Sequence, residues 1–388
     1  MNTTLKKILI ILIVVLIIIL VGLLVYNFLL KKAPSGGEPG GGLPGSEEGE
    51  EQEEEPGAFQ PQAETKIKVI SQNAVLSPTI NANKNKVIYY LKSNGNVWEN
   101  NFDGSDPVQI SDSNLENLVK VIWSPDKSNV ITIFQDNLEN VSKYSYNYTT
   151  SKAIPLNKYI NYIAWSPDSK KNAYQYQNDF TDDNNISTAN PDGTKYSILM
   201  NTRMKNMIVE WPQGTDVFLR EKPSGLAQSS LYSLNTITKS FNKIIADVYG
   251  FSVKWSQKGE KILYSATNEK GKNIGIFIAD RNGANKKALD ISTLAEKCAW
   301  SQDVRYIYCA IAKNINDAKI LPDDFYKGTF ISNDEFYKIN TETGEKINIL
   351  EGEIINDTYD VSELFLAPEE NYLFFIDKEN GWLYSIEL

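Results

Sequence analysis

Three kinds of hydrophobic patterning divide the 388-residue chain. Residues 8–30 form an apolar run of Ile, Leu and Val with one Phe (Phe28), interrupted only by Gly22, Tyr26 and Asn27. Residues 33–65 hold almost no large apolar side chain. From Lys66 to Leu388 short segments alternate apolar and polar positions between turn residues, the period-two pattern of half-buried β-strands. As a helix the first run would reach roughly 34 Å, enough to cross a hydrocarbon core of about 30 Å. It is longer than a secretory signal's apolar region and ends in Tyr-Asn-Phe-Leu-Leu-Lys-Lys, without a small-residue cleavage site. Residues 1–32 are therefore expected to be a retained single-pass transmembrane anchor. Lys6 and Lys7 precede the run and Lys31 and Lys32 follow it, so flanking charge hardly orients it. The very short N-terminal tail favours a cytoplasmic N-terminus, a membrane location and an extracytoplasmic C-terminal domain.

The alternating region repeats. Val121-Ile-Trp-Ser-Pro-Asp-Lys and Ile163-Ala-Trp-Ser-Pro-Asp-Ser are nearly the same segment. Val209-Glu-Trp, Val253-Lys-Trp-Ser and Cys298-Ala-Trp-Ser are weaker copies, and Val75-Leu-Ser-Pro and Phe365-Leu-Ala-Pro bracket the set. Aligned on Leu76, Trp123, Trp165, Trp211, Trp255, Trp300 and Leu366, the copies are spaced by 47, 42, 46, 44, 45 and 66 residues. The copies read as a strand, a turn (Ser-Pro-Asp in the clearest), a second strand, a third strand that carries an aromatic in five of them (Trp98, Tyr232, Phe277, Tyr337, Tyr384) and often ends in a Gly turn, and a short fourth strand. Four antiparallel strands per 40–50 residues define a propeller blade. The fold class is all-β, a seven-bladed β-propeller over 66–388, with six blades as the alternative. The last copy ends at Leu388 after three strands, so residues 66–71 are expected to supply its outer strand and close the ring.

Charge separates the middle segment from the rest. Residues 33–65 are a Gly/Pro/Glu linker carrying nine Glu and no Lys or Arg, read as a disordered acidic stalk. Residues 66–388 keep 35 basic and 40 acidic side chains, a net of −5 out of the chain's −10.

The Trp-Ser-Pro-Asp copies at Trp123 and Trp165, with an Asp-Gly or Asn-Gly turn later in the unit, resemble the TolB-type WD-like β-propeller repeat. The resemblance covers nearly all of 66–388. It implies an extracytoplasmic protein-binding scaffold of the cell envelope. The seven copies, the membrane anchor and the degraded motifs depart from that family's usual six-bladed pattern.

The chain contains no histidine, which removes Ser-His-Asp hydrolysis and histidine-based zinc sites. One and three residues before the Trp column, only Glu210 and Glu363 are acidic, opposed by Lys120, Lys254 and Lys297. That set does not read as a metal cluster, and no cofactor is expected. No P-loop, dinucleotide fingerprint or basic stripe for nucleic acid is present. Cys298 and Cys309 flank one turn, and both a buried thiol pair and a disulfide remain open. The long sixth interval carries about 20 extra residues, 313–333, between the second and third strands of its blade. Long loops on rigid frames often carry function. Asp323, Asp324, Phe325, Tyr326 and Lys327 in this insertion, with Tyr249, Tyr359 and Asp360 on the same face, are the candidate partner-binding residues. The expected function is a membrane-tethered, extracytoplasmic propeller, monomeric, binding a protein or glycan of the envelope. A small-ligand sensor, a structural spacer and a metal-dependent propeller hydrolase are the alternatives.

Overall fold

The structure is a computed structural model that describes residues 66–352 and 357–388. The readings of residues 1–32 as an anchor and 33–65 as a stalk lie outside the described residues. Among the described residues, no helix is long and apolar enough to cross a membrane.

Strand β1 (Ile67–Ser71) precedes a first sheet of β2 (Val75–Ile80), β3 (Val87–Leu91), β4 (Val97–Asn100) and β5 (Val108–Ser111). A second contains β6 (Leu118–Trp123), β7 (Asn129–Gln135), β8 (Val141–Asn147) and β9 (Lys152–Pro155). A third contains β10 (Ile160–Trp165), β11 (Asn172–Asn178), β12 (Asp183–Ala189) and β13 (Ser197–Asn201). A seven-stranded sheet follows: β14 (Ile208–Glu210), β15 (Asp216–Arg220), β16 (Gln228–Asn235), β17 (Phe241–Trp255), β18 (Lys261–Thr267), β19 (Gly275–Asp280) and β20 (Lys287–Leu289). Then come β21 (Cys298–Trp300), β22 (Tyr306–Ala312), β23 (Asp334–Asn340) and β24 (Lys346–Asn348). The last sheet is β25 (Val361–Leu366), β26 (Tyr372–Asp377) and β27 (Leu383–Glu387), with β1 on its outer edge through Ile67↔Ile386 and Val69↔Tyr384. Every pairing is antiparallel, and the fold is that of a β-propeller.

The 15-residue β17 serves two groups of strands. Its first half pairs with β16 (Leu234↔Phe241) and its second half with β18 (Trp255↔Ile262). Gly250 sits at the changeover with φ +64°, where a Cβ would stand 2.6 Å from the Thr267 side chain, so glycine is required there.

The tryptophan column explains how neighbouring units lock. Trp123 donates its indole N–H to the Ser77 carbonyl (2.9 Å), Trp165 to Ile122 (2.9 Å) and Trp300 to Lys254 (3.2 Å). Trp255 donates instead to the Glu210 carboxylate at 3.1 Å. Each of these indoles wedges apolar surface against the preceding unit and also bonds its innermost strand. Trp211 departs, bonding Gly214 in its own turn. The Ser-Pro-Asp turn has an equally local cause. Ser124 Oγ donates to Asp126 (2.6 Å) and accepts the Asn129 N–H (2.9 Å), and Ser166 and Ser301 repeat the arrangement.

One alignment needs correcting. Trp123 pairs with Val130, Trp255 with Ile262, Trp300 with Ile307 and Leu366 with Leu373, whereas in the first sheet Ile80 pairs with Val87. Ile80, not Leu76, therefore holds the first column position. Ser77-Pro78 mimics the turn motif, but Ser77 lies at φ 50° inside a bulged β2. The actual turn is Asn81–Lys84, where Asn81 Oδ1 accepts the Asn85 and Lys86 N–H groups as Ser124 Oγ accepts that of Asn129.

The core lies between adjacent sheets. Phe374 and Ile376 of the last sheet pack with Val75, Val87 and Tyr89 of the first, and Val75 N–H donates to the Gly381 carbonyl at 2.9 Å. Phe336 and Phe375 join β23 to β26 in the neighbouring layer.

Candidate functional site

The insertion between β22 and β23 is folded and anchored. It contains a short helix, α1 (Asp323–Lys327), ended by Gly328 at φ 70°. Asp324 holds the segment together: its carboxylate accepts the Lys319 and Ile320 N–H groups (2.7 and 3.0 Å). Those bonds keep it ionised below the usual carboxylate range. The apolar underside (Ala318, Leu321, Phe325, Phe330) is buried against Ile274, Leu294 and Ala312.

Three neighbouring loops grip the insertion. Asp323 accepts the Gly225 N–H (2.7 Å) and the Ser224 hydroxyl (3.2 Å) from the β15–β16 loop. Leu321 N–H donates to the Gly271 carbonyl (2.8 Å) in the β18–β19 loop. Lys378, in the β26–β27 turn, donates to the Phe325 carbonyl (2.9 Å) with its ammonium 3.7 Å from the Phe325 ring centroid. A Cβ at Gly225 would lie 2.3 Å from the Leu321 carbonyl oxygen, so this approach needs the glycine.

Beneath α1 lies a buried ionic cluster. Lys297 Nζ reaches Asp334 Oδ2 at 2.6 Å, Asp360 Oδ1 at 3.3 Å and the Ser332 hydroxyl at 2.5 Å. Ser332 Oγ is 2.6 Å from Asp360, and Val361 N–H donates to Asp334 at 2.8 Å. Lys378 closes the set at 3.3 Å from Asp360 Oδ2; burial lowers its pKa, against the carboxylate's pull. Lys297, Asp334 and Asp360 are buried, with the Phe325 ring against the Lys297 and Lys378 ammonium groups, so the cluster fixes the insertion's position; Lys378 alone of the four keeps partial exposure.

A second charged set lines the inner strands. Arg220 donates through Nε and Nη2 to Glu210 (3.3 and 3.2 Å), and its Nη1 has no partner among the described residues. Lys254 donates to the Leu364 carbonyl (3.3 Å) and senses Glu296 and Glu363. Burial lowers the Lys254 pKa and raises that of Glu363, while Lys254 and Lys120 pull the latter back down. Tyr326 donates its hydroxyl to Glu296; burial, then that carboxylate, raises the phenol's pKa. Acids and bases alternate here and compensate one another. Among the described residues no group of three or more Asp, Glu or Cys side chains is placed to hold a metal ion.

The eight residues singled out from the sequence thus have different fates. Asp323 and Asp324 are structural clamps. Phe325, Tyr359 and Asp360 are buried, Tyr359 among Phe375 and Tyr384, so none of these three meets solvent. Tyr249 is half-buried and pairs with Gln228 and Thr267. Tyr326 keeps 45% of its surface exposed with its hydroxyl held by Glu296, and Lys327 faces outward; Leu226 (59%) and Ile331 (53%), which the sequence reading passed over, are also exposed. It also missed the Ser332–Asp334 half of the ionic cluster. The available signal was Lys297, a lysine three residues before a buried tryptophan, which demands a carboxylate partner.

No family model matches the chain and no curated protein does. Solved propellers do. An oligogalacturonate lyase in complex with manganese matches with TM-score 0.58 and 11% identity, over 83% of this chain and 89% of that one. The β-propeller domain of the trilobed protease from Pyrococcus furiosus matches with TM-score 0.53 and 12% identity, over 81% and 95%. TolB from Acinetobacter baumannii matches with TM-score 0.44 and 12% identity, over 81% and 63%. At such identities the matches establish the fold alone, and the matched structures include enzymes as well as TolB.

Proposed function

We propose that this chain is a membrane-tethered β-propeller of seven blades that acts outside the cytoplasm as a non-catalytic interaction module. β17 is counted once in each of two blades, and the N-terminus is in the cytoplasm. The partner is a protein or glycan of the cell envelope, met across the face that bears the insertion. The observation carrying this reading is the insertion itself: a segment clamped at three loops that presents Tyr326, Lys327 and Ile331, with Leu226 alongside, to solvent. A rigid platform with exposed aromatic and aliphatic side chains is what an interface core needs, because little ordering entropy remains to be lost on binding.

Two further observations support the location. Cys298 and Cys309 face each other across β21 and β22 and are joined by a disulfide, the covalent state favoured in an oxidising compartment. The apolar run at 8–30 has the length and composition of a membrane span. The test is proximity labelling in intact cells with the full-length chain, compared with a Tyr326→Ala/Ile331→Asp variant. Both changes are at exposed positions and leave the ionic cluster intact. Loss of a partner from the variant's label set supports the reading; an identical set for both chains refutes it. Protease access in intact cells reports the orientation separately.

A further inference from the structure

Two clefts lie away from the insertion and share an aromatic lining without basic side chains. The first, about 600 Å³, opens between the first and second sheets, walled by Phe134 of β7, by Tyr144 and Tyr146 of β8 and by Tyr148 just beyond it. The second, about 570 Å³, opens between the β9–β10 connection and the third sheet, with Tyr174, Tyr176 and Tyr196. Both volumes fall in the range of small-molecule sites, roughly 300–1,000 Å³. Neither lining contains a lysine or arginine. Two other clefts of similar size do, through Lys171 and Lys239 in one and Arg281 in the other.

The aromatic walls are prepositioned. Tyr148 stacks on Trp123 (centroids 5.9 Å, interplanar 7°), and its hydroxyl lies 2.5 Å from that of Tyr90. Tyr146 stands edge-on to Tyr148, and Tyr144 edge-on to Phe134. The Tyr144 and Tyr146 rings are partly exposed, and their hydroxyls make no hydrogen bond among the described residues. In the second cleft Tyr196 is 69% exposed.

Of the four acidic groups in the two linings, Asp136, Asp183 and Asp192 are committed to their own turns, and Glu116 accepts from the Asn114 amide at 3.4 Å. Asp136 accepts from the Leu138 and Asn140 N–H groups and from the Asn140 amide. Asp192 accepts from the Thr194 N–H and hydroxyl, and Asp183 from the Thr181 hydroxyl. A cationic ligand would find few free carboxylate oxygens, and an anionic one no counter-charge. What remains for a ligand is ring faces, phenol and serine hydroxyls, and the amides of Asn117 and Asn201. A pyranose has that complement: a C–H face that packs on aromatic rings and a rim of hydroxyls that both donate and accept.

We infer that these two clefts are subsites for a neutral oligosaccharide, repeated because the ligand's own units repeat. The inference is independent of the insertion and its partner. The experiment uses the full-length chain in a non-glycosidic detergent on an array of neutral hexamers (glucose, mannose and N-acetylglucosamine, in α and β linkages) beside hexagalacturonate. Saturable binding of a neutral hexamer is expected, with no binding of hexagalacturonate. Tyr144→Ala/Tyr146→Ala should weaken it about tenfold or more, and Tyr196→Ala measurably, while thermal melts stay cooperative. Tyr144→Phe/Tyr146→Phe keeps the rings but removes the two hydroxyls and should weaken binding by less than the alanine pair does. No neutral hexamer bound by the folded parent, equal binding of hexagalacturonate, or alanine variants that bind as the parent does would each overturn the inference.

Discussion

Replacing Lys297 by methionine isolates the buried ionic cluster. Methionine keeps most of the side chain's length and apolar contact and removes only the ammonium. In the parent, Lys297 Nζ stands 2.6 Å from Asp334 and 3.3 Å from Asp360, with all three side chains at most 3% exposed. With an effective dielectric near 20 the two attractions are about 6 and 5 kcal/mol gross. Desolvation of three ions, several kcal/mol each, cancels much of that. The cluster as a whole therefore adds little net stability, but its parts cannot be removed singly. Without Lys297, Asp334 keeps the Val361 N–H but loses its ion-pair partner, Asp360 keeps Lys378, and the single Ser332 hydroxyl can donate to only one of the two carboxylates. The expected loss is about 3–5 kcal/mol. For a domain of roughly 320 residues this lowers the melting temperature by about 4–8 °C.

The double variant Lys297→Met/Asp334→Asn decides the mechanism. Neutralising both partners should return stability to within about 1–2 kcal/mol of the parent, because the uncompensated charge is gone. Thermal melts of parent, both single variants and the double variant supply the cycle. Hydrogen exchange at residues 313–333 should rise in the single variant, since Phe325 rests on Lys297 and Lys378. If Lys297→Met melts within about 1 °C of the parent, or the double variant is as unstable as the single, the cluster is not what holds the insertion.

Other expectations are more local. Burial lowers the Lys127 pKa to about 8 from its ordinary 10.5, with Asp126 opposing. Between those values the unfolded chain holds a proton that the folded chain does not, so stability rises with pH across that window; Lys127→Met should remove that rise and gain about 1–3 kcal/mol at pH 7, seen in denaturant midpoints at pH 7 and 10. Asp323→Ala should free the insertion from Ser224 and Gly225 at a cost of about 1–3 kcal/mol, read as faster exchange at residues 313–333 while the global melt moves little. Cys298→Ser/Cys309→Ser should lose about 2–3 kcal/mol, given the separation of 11 residues, and the parent should show no free thiol on denaturation without reductant. Trp165→Phe should lose about 1–2 kcal/mol through the orphaned Ile122 carbonyl, more than Trp211→Phe, whose indole bonds its own turn.

What could be read from the sequence followed what repeats. Tryptophans at near-constant spacing are visible because each fills an equivalent position and all but Trp211 reach the preceding unit's inner strand. Position 80 was hidden because an isoleucine fills the wedge without an indole and an asparagine replaces the serine of the turn, while Ser77-Pro78 nearby imitates the motif. The insertion occurs once, so its location could be counted from the long interval but its contacts could not. A five-residue helix is too short for periodicity to say that Phe325 points inward and Tyr326 outward. The clamps at Ser224, Gly271 and Lys378 come from units distant in sequence and leave no local trace.

The same contrast bears on where specificity can reside. Positions fixed by the repeat are committed to the ring: Trp165 and Trp300 cannot change without loosening a neighbour. The tyrosines of β8 alternate with residues facing the other side of the sheet, so the strand's pairing needs the backbone and one face, not the phenols of Tyr144 and Tyr146. Those rings carry hydroxyls that the fold leaves without a partner, where phenylalanine would pack as well. A partly exposed phenol at the wall of a cleft, bonded to solvent and not to the fold, is free to exchange that bond for one to a ligand's hydroxyl.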